Sequence, residues 1–124
     1  MHQYKQLTVW QDAIALSTTC YRISCQFPSD ERFGLVSQIR RAAVSVASNI
    51  AEGSGRNTDG GFIQFLGIAV GSLCELDTQL LIASELNYLS QNEYQTVAEQ
   101  IQQIQNKLYK LITALRNKKT ALTT

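Results

Sequence analysis

Apolar residues recur along this chain in steps of three and four, in four successive stretches, and that rhythm restricts the fold more than any other feature. Alternating steps of three and four keep one stripe of a helix turned toward a partner, because each residue rotates the helix by about 100°. Strands need alternation by two, and no stretch offers β-branched residues in that pattern. The rhythm therefore predicts an all-α fold built from four amphipathic helices.

The first stretch places Val9, Ala13, Leu16, Cys20, Ile23 and Phe27 on one stripe. Pro28 ends it, because proline has no amide hydrogen and its ring disfavours helical geometry in the preceding residue. The second runs from about Asp30 or Phe33 to Glu52, with Val36, Ile39, Ala43, Val46 and Ile50 on one face. Gly53 reads as its C-terminal stop, and Ser54-Gly55-Arg56-Asn57 as the turn. The third extends from near Thr58 to near Tyr88 and aligns Phe62, Leu66, Ala69, Leu73, Leu76, Leu80 and Ala83. The fourth opens on Ser90-Gln91-Asn92-Glu93, where Ser90 and Glu93 can satisfy each other's orphan amides. Tyr94, Val97, Ile101, Ile104, Leu108, Leu111 and Leu115 form its stripe. Short connections make neighbours antiparallel, which gives an up-down-up-down four-helix bundle. A length of 124 residues supplies one core and leaves none for a second, so residues 1–124 form a single domain.

Most catalytic constellations lack a necessary part. His2 is the only histidine and lies near a chain end, away from any positioned imidazole role. Glu52, Glu75, Asp77 and Glu85 offer oxygen ligands but no close pair on one helix and no histidine beside them, so neither a metal nor another cofactor is expected. Gly53-Ser54-Gly55 lacks the lysine of a phosphate loop and follows a helix where such loops follow a strand. Cys20, Cys25 and Cys74 are odd in number and have no CxxC spacing, which predicts reduced, buried thiols. Met1–Gln6 is followed by no apolar run, so no secretory signal is read there and a cytoplasmic location is expected. The longest uncharged stretch, Gly60–Cys74, is shorter than the roughly 20 residues of a membrane span, and no membrane partner is expected.

Two polar features do not belong to a simple core. Gln38, Arg41, Ser45, Asn49 and Glu52 share one arc of the second helix. Antiparallel return sets this stripe beside Gly67, Gly71 and Glu75, where glycines would allow close approach and Arg41 would pair with Glu75. The second and third helices are also rich in small and aliphatic residues all round, as helices covered on more than one side are. The stripe is thus a candidate subunit contact in a homo-oligomer. The other feature is charge. Residues 1–106 carry six basic and ten acidic side chains, whereas 107–124 carry five basic and none acidic, within a net charge of +1. Lys107, Lys110, Arg116, Lys118 and Lys119 could meet the phosphates of RNA or DNA, or serve as cations at a helix C-terminus.

The run Gln38-Ile39-Arg40-Arg41-Ala42-Ala43-Val44-Ser45-Val46-Ala47-Ser48-Asn49-Ile50-Ala51-Glu52-Gly53 resembles the hallmark of the proteins encoded in 23S rRNA intervening sequences. Phe27-Pro28 with Glu31, then Phe62, Phe65-Leu66, Gly71-Ser72-Leu73, Glu75-Leu76 and Gln79-Leu80 extend the likeness over nearly the whole chain. The resemblance implies a left-handed antiparallel four-helix bundle, a ring-like homopentamer and no enzymatic activity. It leads to the expectation of a scaffold or adaptor that binds itself and a macromolecule. The family is also similar to accessory proteins of diversity-generating retroelements, which bind nucleic acid but are strongly basic where this chain is nearly neutral. Gly60-Gly61 stands where the family usually has lysine and glutamate. At roughly 1 kcal/mol per glycine in a helix interior, the pair predicts a third helix that starts late or frays.

Overall fold

A computed structural model describes residues 3–123, with side chains through residue 118. Four helices account for the described fold: α1 (Thr8–Ser24), α2 (Leu35–Ser54), α3 (Asp59–Glu85) and α4 (Gln91–Thr123). Short 3-10 turns at Tyr4–Gln6 and Ser29–Glu31 precede α1 and α2. No strand occurs among the described residues.

Each helix packs on the two that neighbour it around the bundle, α4 closing back on α1, and the diagonal pairs stand apart across the core. Cross-helix contacts give the directions. Ser17 Oγ donates to Ala43 O at 3.0 Å while Arg40 Nε donates to Ser24 Oγ at 2.9 Å, so α1 and α2 run oppositely. Asp77 accepts from Tyr94 Oη at 2.9 Å and Asp59 lies 3.8 Å from Lys118, which reverses α4 against α3. Lys107 with Asp12, and Glu93 with Gln26 at 3.1 Å, do the same for α4 and α1.

The core is the set of stripes that the three-four rhythm marks. All seven positions of the α3 stripe, Phe62 to Ala83, are buried, as are Val36, Ile39, Ala43, Val46 and Ile50 of α2. On α4 the stripe passes through Ile112 at 7% exposure, with Leu111 only partly covered, and ends on Leu115 at 4%. From Leu108 the buried positions step by four and then three, where the reading took three and then four, and both orders reach Leu115.

Helix ends depart from the sequence reading in three places. α2 begins at Leu35, not at Asp30 or Phe33, because the Glu31 carboxylate accepts the Leu35 amide at 3.3 Å, and Phe33 is 87% exposed. Gly53 is no stop: α2 continues to Ser54, and no glycine has positive φ. The residue serves approach instead, since a Cβ there would stand 2.7 Å from Phe65 Cβ and 3.3 Å from Phe62 O. Gly60 and Gly61 do not delay α3, which starts at Asp59 with Thr58 Oγ1 accepting the Gly61 amide at 3.0 Å. That cap offsets part of the glycine cost. α3 ends where Asn87 takes φ 64°, with the amides of Asn87 and Tyr88 returned to Ser84 O and Ala83 O. The capping box at Ser90 forms as read, at 2.9 and 3.0 Å.

Candidate subunit-contact surface

The polar stripe of α2 lies along its outer seam with α3. Ser45 and Ser72 hydroxyls meet at 2.9 Å, and Asn49 Nδ2 donates back to Ser45 O at 2.8 Å and Ser45 Oγ at 3.0 Å. These small polar groups satisfy one another without charge. Gln38, Arg41 and Glu52 stay exposed.

The Arg41–Glu75 pair does not form. Both side chains are exposed; Glu75 instead accepts from Gln79 Nε2 at 3.1 Å, one turn along its own helix, and Arg41 enters no ion pair among the described residues. The register is close, as Ser45 opposite Ser72 testifies, but on a solvated rim the two ions gain little by giving up water and side-chain freedom. Gly67 and Gly71 do not mediate close approach either, since a Cβ on either would meet nothing within 4 Å. Glu52 lies 4.0 Å from Arg56, whose guanidinium covers the Phe65 ring at 4.4 Å.

Exposed aliphatic side chains add what polar patterning missed. Ile68, Leu81 and Ile82 of α3 and Leu86 at its C-terminal cap are 45–50% exposed, and Ile14 and Val44 on α1 and α2 are 42% and 43% exposed. Between α1 and α2 runs an open groove of about 310 Å³, lined by Tyr4, Trp10, Ile14, Val44, Ala47 and Ala51 together with two serines. The signal for it was present as Ile14 and Val44 lying off their core stripes. A second feature missed is Arg40, which bonds Ser24 Oγ and Tyr21 O and stacks over the Tyr21 ring at 4.7 Å.

The basic end of α4 is partly neutralised within the chain. Lys107 is paired with Asp12 and Lys118 lies 3.8 Å from Asp59. The Lys119 side chain and His2 lie outside the described residues.

The three thiols divide. Cys20 is buried, and loss of water pushes its pKa up to about 12. Cys25 and Cys74 are exposed, contrary to the buried reading, because Cys25 follows the end of α1 as its C-terminal cap and Cys74 falls off the α3 core stripe. Asp77 takes the Tyr94 hydroxyl, and burial followed by this carboxylate raises the tyrosine's pKa. Among the described residues no three His, Cys, Asp or Glu side chains converge in a metal-binding group. The arrangement thus offers contact area and capped helix ends, and its grooves are shallow.

The family described as 23S rRNA-intervening sequence protein matches the chain over residues 5–110. Among solved structures, a protein of unknown function from the S23 ribosomal protein family of Bacteroides thetaiotaomicron is similar, with a TM-score of 0.76 and 20% identity. The similarity covers 84% of this chain and 97% of that one, and at such identity it speaks to the fold. No curated protein matches the chain.

Proposed function

This chain belongs to the 23S rRNA-intervening sequence protein family, and from that premise we propose that it acts by assembling with copies of itself into a ring, five subunits by the family resemblance, that serves as a non-enzymatic scaffold or adaptor. The single observation carrying the reading is the state of α3. This helix of 27 residues is apolar enough and long enough to cross a membrane, yet only 33% of its most apolar stretch is buried in the bundle. An apolar helix left this largely uncovered by its own chain favours a further partner.

Lipid is the poorer cover. Insertion would strip Leu66, Leu73 and Leu80 from their core neighbours and carry Glu75 and Asp77 into hydrocarbon, at about 2.5–3.5 kcal/mol for a centrally placed acid. A sister copy can cover the same face without carrying these acids into hydrocarbon. Binding of RNA or DNA through the α4 end has less support, because Lys107 and Lys118 already face carboxylates of their own chain.

Multi-angle light scattering at micromolar concentration tests the assembly. The expected mass is five times the 13.8 kDa chain. A mass equal to one chain overturns the proposal.

A further inference from the structure

We propose that the contact between copies is heterologous: the outer ridge of α3 on one copy seats in the α1–α2 groove of the next. This deepens the assembly reading above and rests on it.

The ridge is a heptad stripe. Ile68, Glu75 and Ile82 follow at seven-residue intervals and so fall within about 40° of one another on the helix, with Leu86 one turn further on. All four side chains are exposed. The groove is the counterpart in shape. Trp10, packed edge-on against Tyr4 at 5.3 Å, closes one end, small Ala47 and Ala51 form the floor, and half-exposed Ile14 and Val44 stand on the flanks. It is concave, uncharged and of a size to take branched aliphatic side chains.

Charge supports the same pairing. α3 carries Asp59, Glu75, Asp77 and Glu85 and no lysine or arginine, and Glu75 and Glu85 are exposed on its outer side. Beside the groove, Lys5, next in the chain to Tyr4, is exposed and enters no ion pair among the described residues. Glu75 on a ridge seated in the groove gives Lys5 a partner that its own chain withholds.

The self-pairings are worse. A twofold axis through the middle of the ridge would set Glu75 against its own copy, like charge on like. Groove against groove would bring two hollows together with nothing to fill them. Neighbouring faces of a four-helix bundle lie about 90° apart, and contacts on two such faces turn a chain of copies back on itself after about four or five members. The geometry is therefore compatible with a closed ring.

Two substitutions at exposed positions test this: Val44→Glu in the groove and Ile82→Glu on the ridge. Circular dichroism should show both folded, because neither side chain is in the core. In sedimentation velocity each variant alone is expected as a monomer. Mixed in equal amounts, they are expected to form one-to-one dimers and nothing larger, since one intact ridge then meets one intact groove. Rings that persist in either variant overturn the interface while leaving assembly standing. A mixture that remains monomeric does the same, and a monomeric wild type removes both readings.

Discussion

Glycine in this chain acts through what surrounds it, and two positions in neighbouring helices show opposite cases. At Gly53 the missing side chain lets α2 touch α3, with Phe65 Cβ only 2.7 Å from where a methyl would stand. Gly53→Ala must push two helices apart, and unfolding in urea should show a loss of about 1–3 kcal/mol, the usual range for overpacking. Gly67 faces open space within the chain. Gly67→Ala removes the backbone freedom of the unfolded state and meets no neighbour, so a gain of about 0.5–1 kcal/mol is expected in the same measurement. A loss at Gly67 as large as that at Gly53 would contradict the packing described. Arg41 illustrates what position alone leaves open: its helical register beside Glu75 was legible, but whether two exposed side chains turn toward each other depends on water and rotamers, which spacing does not encode.

Among the elements, α4 is the one whose start rests on an ionised group. The Glu93 carboxylate accepts the Ser90 amide and the Gln26 side chain, and these bonds, the backbone one first, hold its pKa below the ordinary value of 4.5. A depressed pKa means that the stabilisation is fully present above the unfolded value and is lost as pH falls through the folded one. The stability gap between wild type and Glu93→Gln should therefore be open at neutral pH and narrow progressively below about pH 4.5. Urea titrations at several pH values check it, and a gap that widens on acidification would refute the sign. This capping box was readable because both partners lie three residues apart. The same holds for the seven buried positions of α3, which depend only on helical period. Gly53 was not readable in that way, because a glycine near a helix end has two uses, a left-handed stop or a close contact, and only the position of Phe65 decides between them. Ile112 was missed for a different reason: a step of three or of four from Leu108 both lead on to Leu115, and spacing alone does not choose between Leu111 and Ile112.

For the whole molecule the governing quantity is apolar surface left uncovered by a single chain. One bundle of 124 residues covers the inward stripes of four helices and leaves Ile14, Val44, Ile68 and Ile82 each more than 40% exposed. If sister copies cover these side chains, folding and assembly are linked by mass action: the folded state binds its own kind and the unfolded state does not. The midpoint of thermal unfolding should then rise with protein concentration in the wild type. For Ile82→Glu it should be independent of concentration, because that variant retains every core residue and loses only the contact between copies. Differential scanning calorimetry across a dilution series separates the two behaviours. A wild-type midpoint that ignores concentration would mean the exposed aliphatics are ordinary solvated surface, and a variant midpoint that still climbs would place the stabilising contact elsewhere on the bundle.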